Sequence, residues 1–353
     1  MIILLFAIRD NITYMKLYYY KSPTGNFGDD LNAWLWEELL PGYFKYENGI
    51  IFSGIGTIIS ADMPTSSKTV IFGSGVGYGY PPMNFGDNRW DVRFVRGPLS
   101  AKVLSLPANK YITDSAILVS KIEGFEPLPE NERSGIIFVP HHHALHTGQW
   151  HEVCKSVGIE FIDPTQDSKY VIQKIRKSKL VLADAMHAAI IADSLRVPWI
   201  PLVTSNQINT FKWIDWTLSV KLEYSPSYIG PSSMRECLRN KFLHLYGESF
   251  YIKSLNADDS INCFYKQRDI LSNKWWPIYS KIIRRCVYTA PNLLLKKIEQ
   301  FSSPRWDEKY ISLAKKKILD AMKRAPMLSS DDVYQSNLNK ILNEVECVRK
   351  MYK

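Results

Sequence analysis

KLVLADAMHAAIIADSLRVPWIPLV, residues 179–203, contains in order a strand, a helix and a second strand. The apolar runs 179–183 and 199–203 have the length and β-branched content of buried strands. Between them, residues 186–195 have the length and composition of a helix. A strand, a helix and a further strand in succession build a parallel sheet covered by helices.

The same alternation extends in both directions from this segment and forms two blocks. A Pro/Glu/Asn-rich stretch, residues 126–133, separates them and is typical of an interdomain linker. We therefore predict an α/β fold with two Rossmann-like domains facing a cleft, followed by a mostly helical, basic C-terminal region. The predicted bounds are 16–125, 134–225 and 226–353. The remaining predicted strands are 16–20, 50–53, 69–72, 92–95, 135–139 and 159–162, and the remaining helices are 30–40, 98–104, 150–157, 168–177 and 305–323.

Composition excludes several classes of protein. A chain of 353 residues that is 46% hydrophobic and 13% aromatic is not disordered. Its five cysteines include no Cys-x-x-Cys pair, which indicates reduced thiols in the cytoplasm and no zinc finger. No apolar run approaches the ~20 residues of a membrane span. Residues 1–14 are either an ordered extension or an upstream segment before a true start at Met15.

The net charge of +9 is concentrated at the C-terminal end. Residues 266–353 hold 19 Lys and Arg against 9 Asp and Glu, so the rest of the chain is close to neutral. Trp275, Trp276 and Tyr279 are interleaved with these basic residues. Aromatic and basic residues in alternation favour an anionic membrane surface over nucleic acid as the partner, although a solvated helical face is an alternative.

Gly25, Asn26, Gly28, Asp29 and Asp30 follow the first predicted strand. Glycines there allow close approach of a ligand to the backbone, and the next helix offers free N–H groups to an anion. A tight turn with an Asp helix cap explains the same residues without a ligand. The run is therefore a candidate binding loop, with the two aspartates as candidate general bases or contacts to a hydroxyl.

Arg96 ends another predicted strand, beside the N-terminus of a helix. Its guanidinium could bind a carboxylate or phosphate with two parallel hydrogen bonds. An ion pair within the protein is the alternative.

A cluster of histidines, His141, His142 and His143, follows the first strand of the second block. A metal site would need further ligands, and none lies nearby in the sequence. We therefore predict that these histidines contact an anion or a hydroxyl, and that the site has no metal. Asp184 and His187 follow the strand 179–183 and are predicted to face the cleft, where His187 is the candidate acid or base. A buried histidine at a helix start is the alternative.

Four motifs together resemble the polysaccharide pyruvyl transferases, and in particular the ketal-pyruvate transferases of the succinoglycan and xanthan type. They are the run from Gly25 to Asn32, the turn at Arg96-Gly97-Pro98, Asp114-Ser115-Ala116, and the helix that begins Met186-His187. The resemblance covers roughly residues 16–203. It implies a GT-B-like fold, phosphoenolpyruvate as the donor substrate, and no cofactor or metal. Many members carry an arginine two residues before the motif histidine, where this chain has Ala185.

On this basis the sequence predicts an enzyme that transfers pyruvate from phosphoenolpyruvate to a sugar of an exopolysaccharide or capsular repeat unit, forming a cyclic ketal. His187 is the leading acid or base, and Arg96 with the three histidines is expected to hold the donor's anionic groups. The acceptor is expected to be a lipid-linked oligosaccharide, and the enzyme to be cytoplasmic, at the inner face of the plasma membrane. Two alternatives are a GT-B glycosyltransferase that uses a nucleotide sugar and a non-catalytic assembly factor at the membrane surface.

Overall fold

The computed structural model describes residues 13–45, 49–301 and 305–353, so most of the segment 1–14, and with it the question of the start, lies outside the described residues. Two parallel sheets form the α/β part of the chain. The first has the order β1-β2-β3-β4, with β1 Lys16–Leu17, β2 Ile50–Ser53, β3 Lys68–Phe72 and β4 Trp90–Phe94. The second has the order β6-β5-β7-β8-β9, with β5 Ile136–Val139, β6 Glu160–Phe161, β7 Leu180–Ala183, β8 Trp199–Val203 and β9 Ser227–Tyr228.

Helices cover these strands and connect most of them, while loops alone join β2 to β3 and β3 to β4. The α-helices of the sheet-containing part are α1 Phe27–Asp30, α2 Asn32–Leu39, α3 Pro98–Val103, α4 Trp150–Val157, α5 Ser168–Lys177, α6 Met186–Ser194 and α7 Thr210–Ser219. Those that follow are α8 Met234–Phe242, α9 Ala257–Leu271, α10 Trp276–Arg284, α11 Ala290–Phe301, α12 Arg305–Ala321 and α13 Asp331–Met351. Short 3-10 helices lie at Ala108–Lys110, Ser115–Lys121, Glu130–Glu132, His142–His146 and Leu243–Tyr246, and a π-helical turn, Arg285–Thr289, joins α10 to α11.

The predicted alternation of strands and helices is found in the second sheet, and the bounds of α4, α5 and β8 match the prediction. In the first sheet β2, β3 and β4 follow one another without a helix between them, so the alternation predicted for that block is only partial. The first strand is shorter than the predicted 16–20, since only Lys16–Leu17 is assigned to the sheet. Tyr18 still donates its N–H to the carbonyl of Phe52 (2.9 Å), after which the chain leaves the sheet and Tyr20 reaches the cavity described below.

The core of the first sheet is aromatic. Trp36 of α2 meets Phe52 and Phe72 edge-on, at ring-centroid distances of 4.8 and 5.5 Å. Its indole N–H donates to the side chain of Asn32 (2.8 Å). The same Asn32 amide bonds both the N–H (3.0 Å) and the carbonyl (3.1 Å) of Ile55, so this fully buried asparagine joins α2 to the loop after β2.

The two sheets are joined by direct contacts. The 3-10 helix Ser115–Lys121 packs against α6. Phe27, at the start of α1, donates its N–H to the carbonyl of Pro164 (2.9 Å), in the loop before α5. A Cβ atom at Gly25 would overlap the carbonyl oxygen of Thr165, which explains a glycine at this point of closest approach between the two backbones.

The C-terminal region is mostly helical, as predicted, but only part of it projects as a basic, aromatic surface. Helix α12 packs against α4 and buries Ala314, Ile318 and Ala321. Helix α13 returns to the first sheet, where Glu344 pairs with Arg93 (2.5 Å). These two helices therefore pack onto the α/β part of the chain. No helix in the described ranges combines the length and the apolarity needed to cross a bilayer.

Candidate active site

A cavity of about 330 Å³ lies where the two sheets face each other. Its walls come from the loops that follow the carboxyl ends of strands in both sheets, which is where open parallel sheets bind ligands. The first sheet contributes Tyr20, Asn26, Phe27, Asp29, Thr57, Ile58 and Tyr78. The second contributes His141, His142, His143, Pro164, Asp184, Ala185, Met186, His187, Gln207, Ile208, Asn209, Lys212 and Trp213, and Glu248 and Phe250 complete the wall.

The glycine-rich run separates into structural and cavity-facing residues. Asn26 caps α1 by accepting the N–H of Gly28 (3.3 Å), while its own N–H donates to Asp30 (2.9 Å). Asp30 therefore acts in helix capping and does not belong to the described cavity lining. Asp29 does line the cavity, and the Asn26 amide donates to its carboxylate.

The protonation of Asp29 is strongly affected by its surroundings. Burial raises the pKa of its carboxyl to about 7, with smaller upward contributions from Asp30 and Asp114. The positive charge of Lys212 and the hydrogen bond from Asn26 oppose this rise. Near neutral pH, Asp29 therefore holds a proton in a substantial fraction of molecules, which is the state required of a general acid.

His187 stands at the start of α6, with its imidazole against α1. A Cβ atom at Gly28 would overlap that ring, so the glycine makes room for the histidine. The Nε2 atom of His187 is enclosed and has no hydrogen-bond partner among the described residues. Burial, together with the charges of Lys212 and Arg96, lowers the pKa of His187 to about 3. The ring is thus neutral near pH 7. A pKa of about 3 makes it a weak base on its own, and a negative charge bound beside it would raise that pKa.

The three histidines form a compact group just after the carboxyl end of β5, in the second sheet. Their ring centroids lie 4.1 to 5.0 Å apart, and one ligand nitrogen from each lies within 4.8 Å of the others. They are the residues that could hold a metal ion, and the absence of a metal remains a prediction. Burial lowers the pKa of all three, to about 4 for His142 and about 2 for His143. As neutral rings they offer hydrogen bonds and no positive charge.

Asp184 holds the loops around these histidines in place. Its buried carboxylate accepts the N–H of His141 (2.8 Å) and both the N–H (2.9 Å) and the hydroxyl (2.8 Å) of Thr204. It thereby ties together the loops that follow β5, β7 and β8. Asp184 lines the cavity and, through these three hydrogen bonds, positions the loops; a further contact of its carboxylate with the substrate stays a prediction.

Arg96 is placed differently from the prediction. It is fully buried and paired with the equally buried Asp215 (3.0 Å), which corresponds to the alternative of an ion pair within the protein. Its other nitrogens donate to the hydroxyl of Thr57 (2.7 Å) and the carbonyl of Val76 (2.9 Å). Arg96 is absent from the described cavity lining and supports Thr57, which is part of it. In this arrangement the guanidinium of Arg96 does not line the described cavity, so its predicted contact with a donor anion stays a prediction that this geometry does not favour.

Lys212 lines the cavity, and the sequence interpretation did not name it. It lies in the first turn of α7, whose cap Asn209 bonds the N–H of Lys212 (3.3 Å) and the carbonyl of Gly77 (2.8 Å). Its ammonium lies 5.1 Å from the ring centre of Tyr78, and no ion pair of Lys212 is found among the described residues. The loop after the strand 199–203 leads to this lysine, but eight residues lie between it and the strand end, so its approach to the cavity was not predicted.

Comparisons with known proteins identify the family of the chain. The model of the family described as polysaccharide pyruvyl transferase matches residues 26–206. The chain is 39% identical over 246 residues to the succinoglycan biosynthesis protein ExoV of Rhizobium meliloti (strain 1021), covering 69% of this chain and 77% of that protein. No solved structure matches the chain.

Proposed function

Because the chain belongs to the polysaccharide pyruvyl transferase family and is therefore a transferase enzyme, we propose that it moves pyruvate from phosphoenolpyruvate onto a sugar and forms a cyclic ketal. The observation that carries the proposal is the meeting of Asp29, His187 and Lys212 at one cavity between the two sheets. These residues provide a group that holds a proton, a group that lacks one, and a positive charge.

Lys212 holds the anionic groups of the donor in this proposal. Phosphoenolpyruvate carries a phosphate and a carboxylate, and both need positive charge or N–H donors. The guanidinium of Arg96 is occupied by Asp215, and the three histidines are neutral near pH 7. Lys212 therefore takes the role expected of the arginine that Ala185 replaces, and the histidines assist as N–H donors.

Asp29 and His187 move the protons. Protonation of the methylene carbon of phosphoenolpyruvate turns it into a methyl group and makes C2 electrophilic. Asp29, with a pKa near 7, is the donor of that proton. His187, neutral near pH 7, accepts the proton of the attacking sugar hydroxyl. The sequence interpretation left the acid and base roles open among His187 and the two aspartates. This proposal gives the acid role to Asp29 and the base role to His187.

The bonds and protons balance over the full reaction. The first hydroxyl oxygen bonds to C2, the bond from C2 to the phosphate oxygen breaks, and the second hydroxyl oxygen then bonds to C2 and closes the ring. Of the two hydroxyl protons, one is accounted for by the new methyl group and the other by the released inorganic phosphate. No oxidant or reductant is consumed.

The acceptor in this proposal is a sugar of an exopolysaccharide or capsular repeat unit, carried on a lipid-linked oligosaccharide. The name of the relative, a succinoglycan biosynthesis protein, supports a polysaccharide product. We place the acceptor with the first predicted domain, 16–125, and the donor with the second, 134–225, in a GT-B-like arrangement with the cavity between them. A lipid-linked acceptor requires the enzyme to work at the inner, anionic face of the plasma membrane.

The direct test is incubation of the full chain with phosphoenolpyruvate and a panel of galactosides, glucosides and mannosides, following phosphate release and the mass of the product. We expect phosphate release that depends on one class of sugar, and a product that carries a pyruvate ketal. The His187→Ala variant is the control for contaminating phosphatase. Transfer of a glycosyl group from a nucleotide sugar, with none from phosphoenolpyruvate, would contradict the proposal.

A further inference from the structure

The exposed surface formed by α10, the π-helical turn and the start of α11 combines two unusual features. From residue 270 to residue 298 the chain contains no Asp or Glu, although it contains six Lys and Arg. The same stretch exposes large apolar side chains, and no residue of α10 is buried. The most exposed are Trp275 (63%), Ile278 (55%), Ile282 (56%), Leu293 (56%) and Leu294 (61%). We call this surface, formed by residues 274–297, the basic apolar face.

Four exposed residues at the start of and within α10 lie on one side of the helix. Trp275 is three and four positions from Ile278 and Tyr279, and Ile282 is four and three positions beyond them, which places all four on a common stripe. Such a stripe normally packs into a protein core, and here it faces outward. Contiguous exposed apolar surface of this kind is typical of a site of interaction.

Helix α12 provides the contrast within the same C-terminal region. Its apolar stripe, with Ala314 and Ile318 fully buried, packs against the second sheet's helix α4. Lys315 and Lys316 of α12 are exposed, as are Leu313 (45%) and Leu319 (40%). The main apolar stripe of α12 is nevertheless buried, whereas no residue of α10 is.

The inner side of the basic apolar face is attached to the wall of the cavity. Arg284 pairs with Glu248 (2.8 Å), which lines the cavity. The guanidinium of Arg239 lies 6.0 Å from the ring centre of Tyr288 and donates to the carbonyl of His143 (2.8 Å), another cavity residue. The outward-facing surface therefore lies directly behind one wall of the candidate active site.

We propose that the basic apolar face docks onto an anionic phospholipid bilayer. Trp and Tyr suit the boundary between headgroups and acyl chains, and exposed Lys281, Arg285 and Lys296 suit anionic headgroups. A second copy of the chain is a poorer occupant, since a two-fold contact through this face would bring like charges together. The inference rests on the proposed function in one respect: docking would bring the cavity to a lipid-linked acceptor.

The test is co-sedimentation of the full chain with phosphatidylcholine vesicles, with and without phosphatidylglycerol. The charge variant combines Lys281→Gln, Lys296→Gln and Lys297→Gln. Its control removes the same charge from α12, by Lys309→Gln, Lys315→Gln and Lys316→Gln. The apolar variant combines Trp275→Ser and Ile282→Ser, and its control combines Leu313→Ser and Leu319→Ser, which are exposed on α12 at 45% and 40%.

We expect binding that requires phosphatidylglycerol, weakens as salt is raised, and falls by roughly fivefold for each basic residue removed from the face. The apolar variant should bind at least tenfold more weakly than its control, with unchanged melting temperature. Equal binding by the variants and their controls would overturn the inference. Concentration-dependent dimerisation that the apolar variant abolishes, with no vesicle binding, would overturn it in favour of a second copy as the occupant.

The same variants separate this inference from the proposed function. Phosphate release from phosphoenolpyruvate with a soluble sugar acceptor should be unchanged in both face variants, because neither removes a cavity residue. Vesicle binding without any phosphoenolpyruvate-dependent activity would leave the docking surface intact and contradict only the function. Full activity without vesicle binding would support the proposed function and contradict only the docking surface.

Discussion

Gly28 of α1 and the imidazole of His187 occupy adjacent space across the boundary between the two sheets, and a Cβ atom at Gly28 would overlap the ring. The glycine belongs to the short helix α1 that follows β1, and the histidine to the helix that follows β7. Their contact therefore fixes the first sheet relative to the second at the cavity. The position of His187, the proposed base, therefore depends on there being a glycine at position 28, which lies 159 residues earlier in the sequence.

The first prediction concerns this contact. Gly28→Ala should destabilise the protein by about 1–3 kcal/mol through overpacking and lower the turnover number by displacing His187. His187→Ala alone should lower turnover by roughly a hundredfold or more, the usual scale for loss of an acid or base. The double variant should be less destabilised than the sum of the two single losses, because the overlap with the ring is gone and only that with the Cβ of residue 187 remains, and it should not recover activity. Simple addition of the two stability losses, measured by denaturant unfolding, would contradict the contact.

The second prediction assigns the donor's charge to Lys212. Lys212→Gln should raise the Michaelis constant for phosphoenolpyruvate by about 10- to 100-fold, the scale of a lost hydrogen bond to a charged group. The matched control is Lys221→Gln, which removes an exposed charge just beyond the other end of α7. Steady-state kinetics on both variants makes the comparison. An unchanged Michaelis constant in Lys212→Gln would remove this lysine from donor binding.

The third prediction is a dependence on pH. Since Asp29 has a pKa of about 7 and must be protonated to act as an acid, kcat/KM should fall as the pH rises above about 7. Lys212 lowers the pKa of Asp29, so Lys212→Gln should raise it and move this alkaline limb to higher pH. The ionisation of the donor's phosphate is the same for both proteins. A limb at the same pH in both would therefore assign it to the donor and not to Asp29.

The fourth prediction separates structure from catalysis at Arg96. Arg96→Gln should cost about 3–5 kcal/mol of unfolding free energy, because it leaves Asp215 buried without its counter-ion. The control Arg89→Gln breaks an exposed pair with Asp87 and should have little effect. Arg96→Lys retains the charge but not the bonds to Thr57 and Val76, so it should lose stability while the Michaelis constant for phosphoenolpyruvate changes little. A large rise in that Michaelis constant, at unchanged stability, would show that Arg96 binds the donor.

Much of the architecture follows from short-range patterns in the sequence. Helix α4 has the predicted bounds because its apolar residues are spaced to form one buried stripe. Strand β8 has them because it is one continuous buried apolar run. Strand ends could likewise be predicted, and with them the loops that carry Asp29, the three histidines and His187. Parallel strands end at one edge of a sheet, so residues just after them gather there whatever the details of packing.

The partners of individual side chains were decided only by the tertiary structure. Arg96 and Asp215 are 119 residues apart, and nothing in either local sequence indicates that each neutralises the other. The same holds for Lys212, whose helix begins beyond the strand-end loop and turns its ammonium toward the cavity. Local patterns are set by which face of an element is buried. Charge pairing and pKa values depend on distances and burial, and these exist only once the two sheets and the C-terminal helices have packed together.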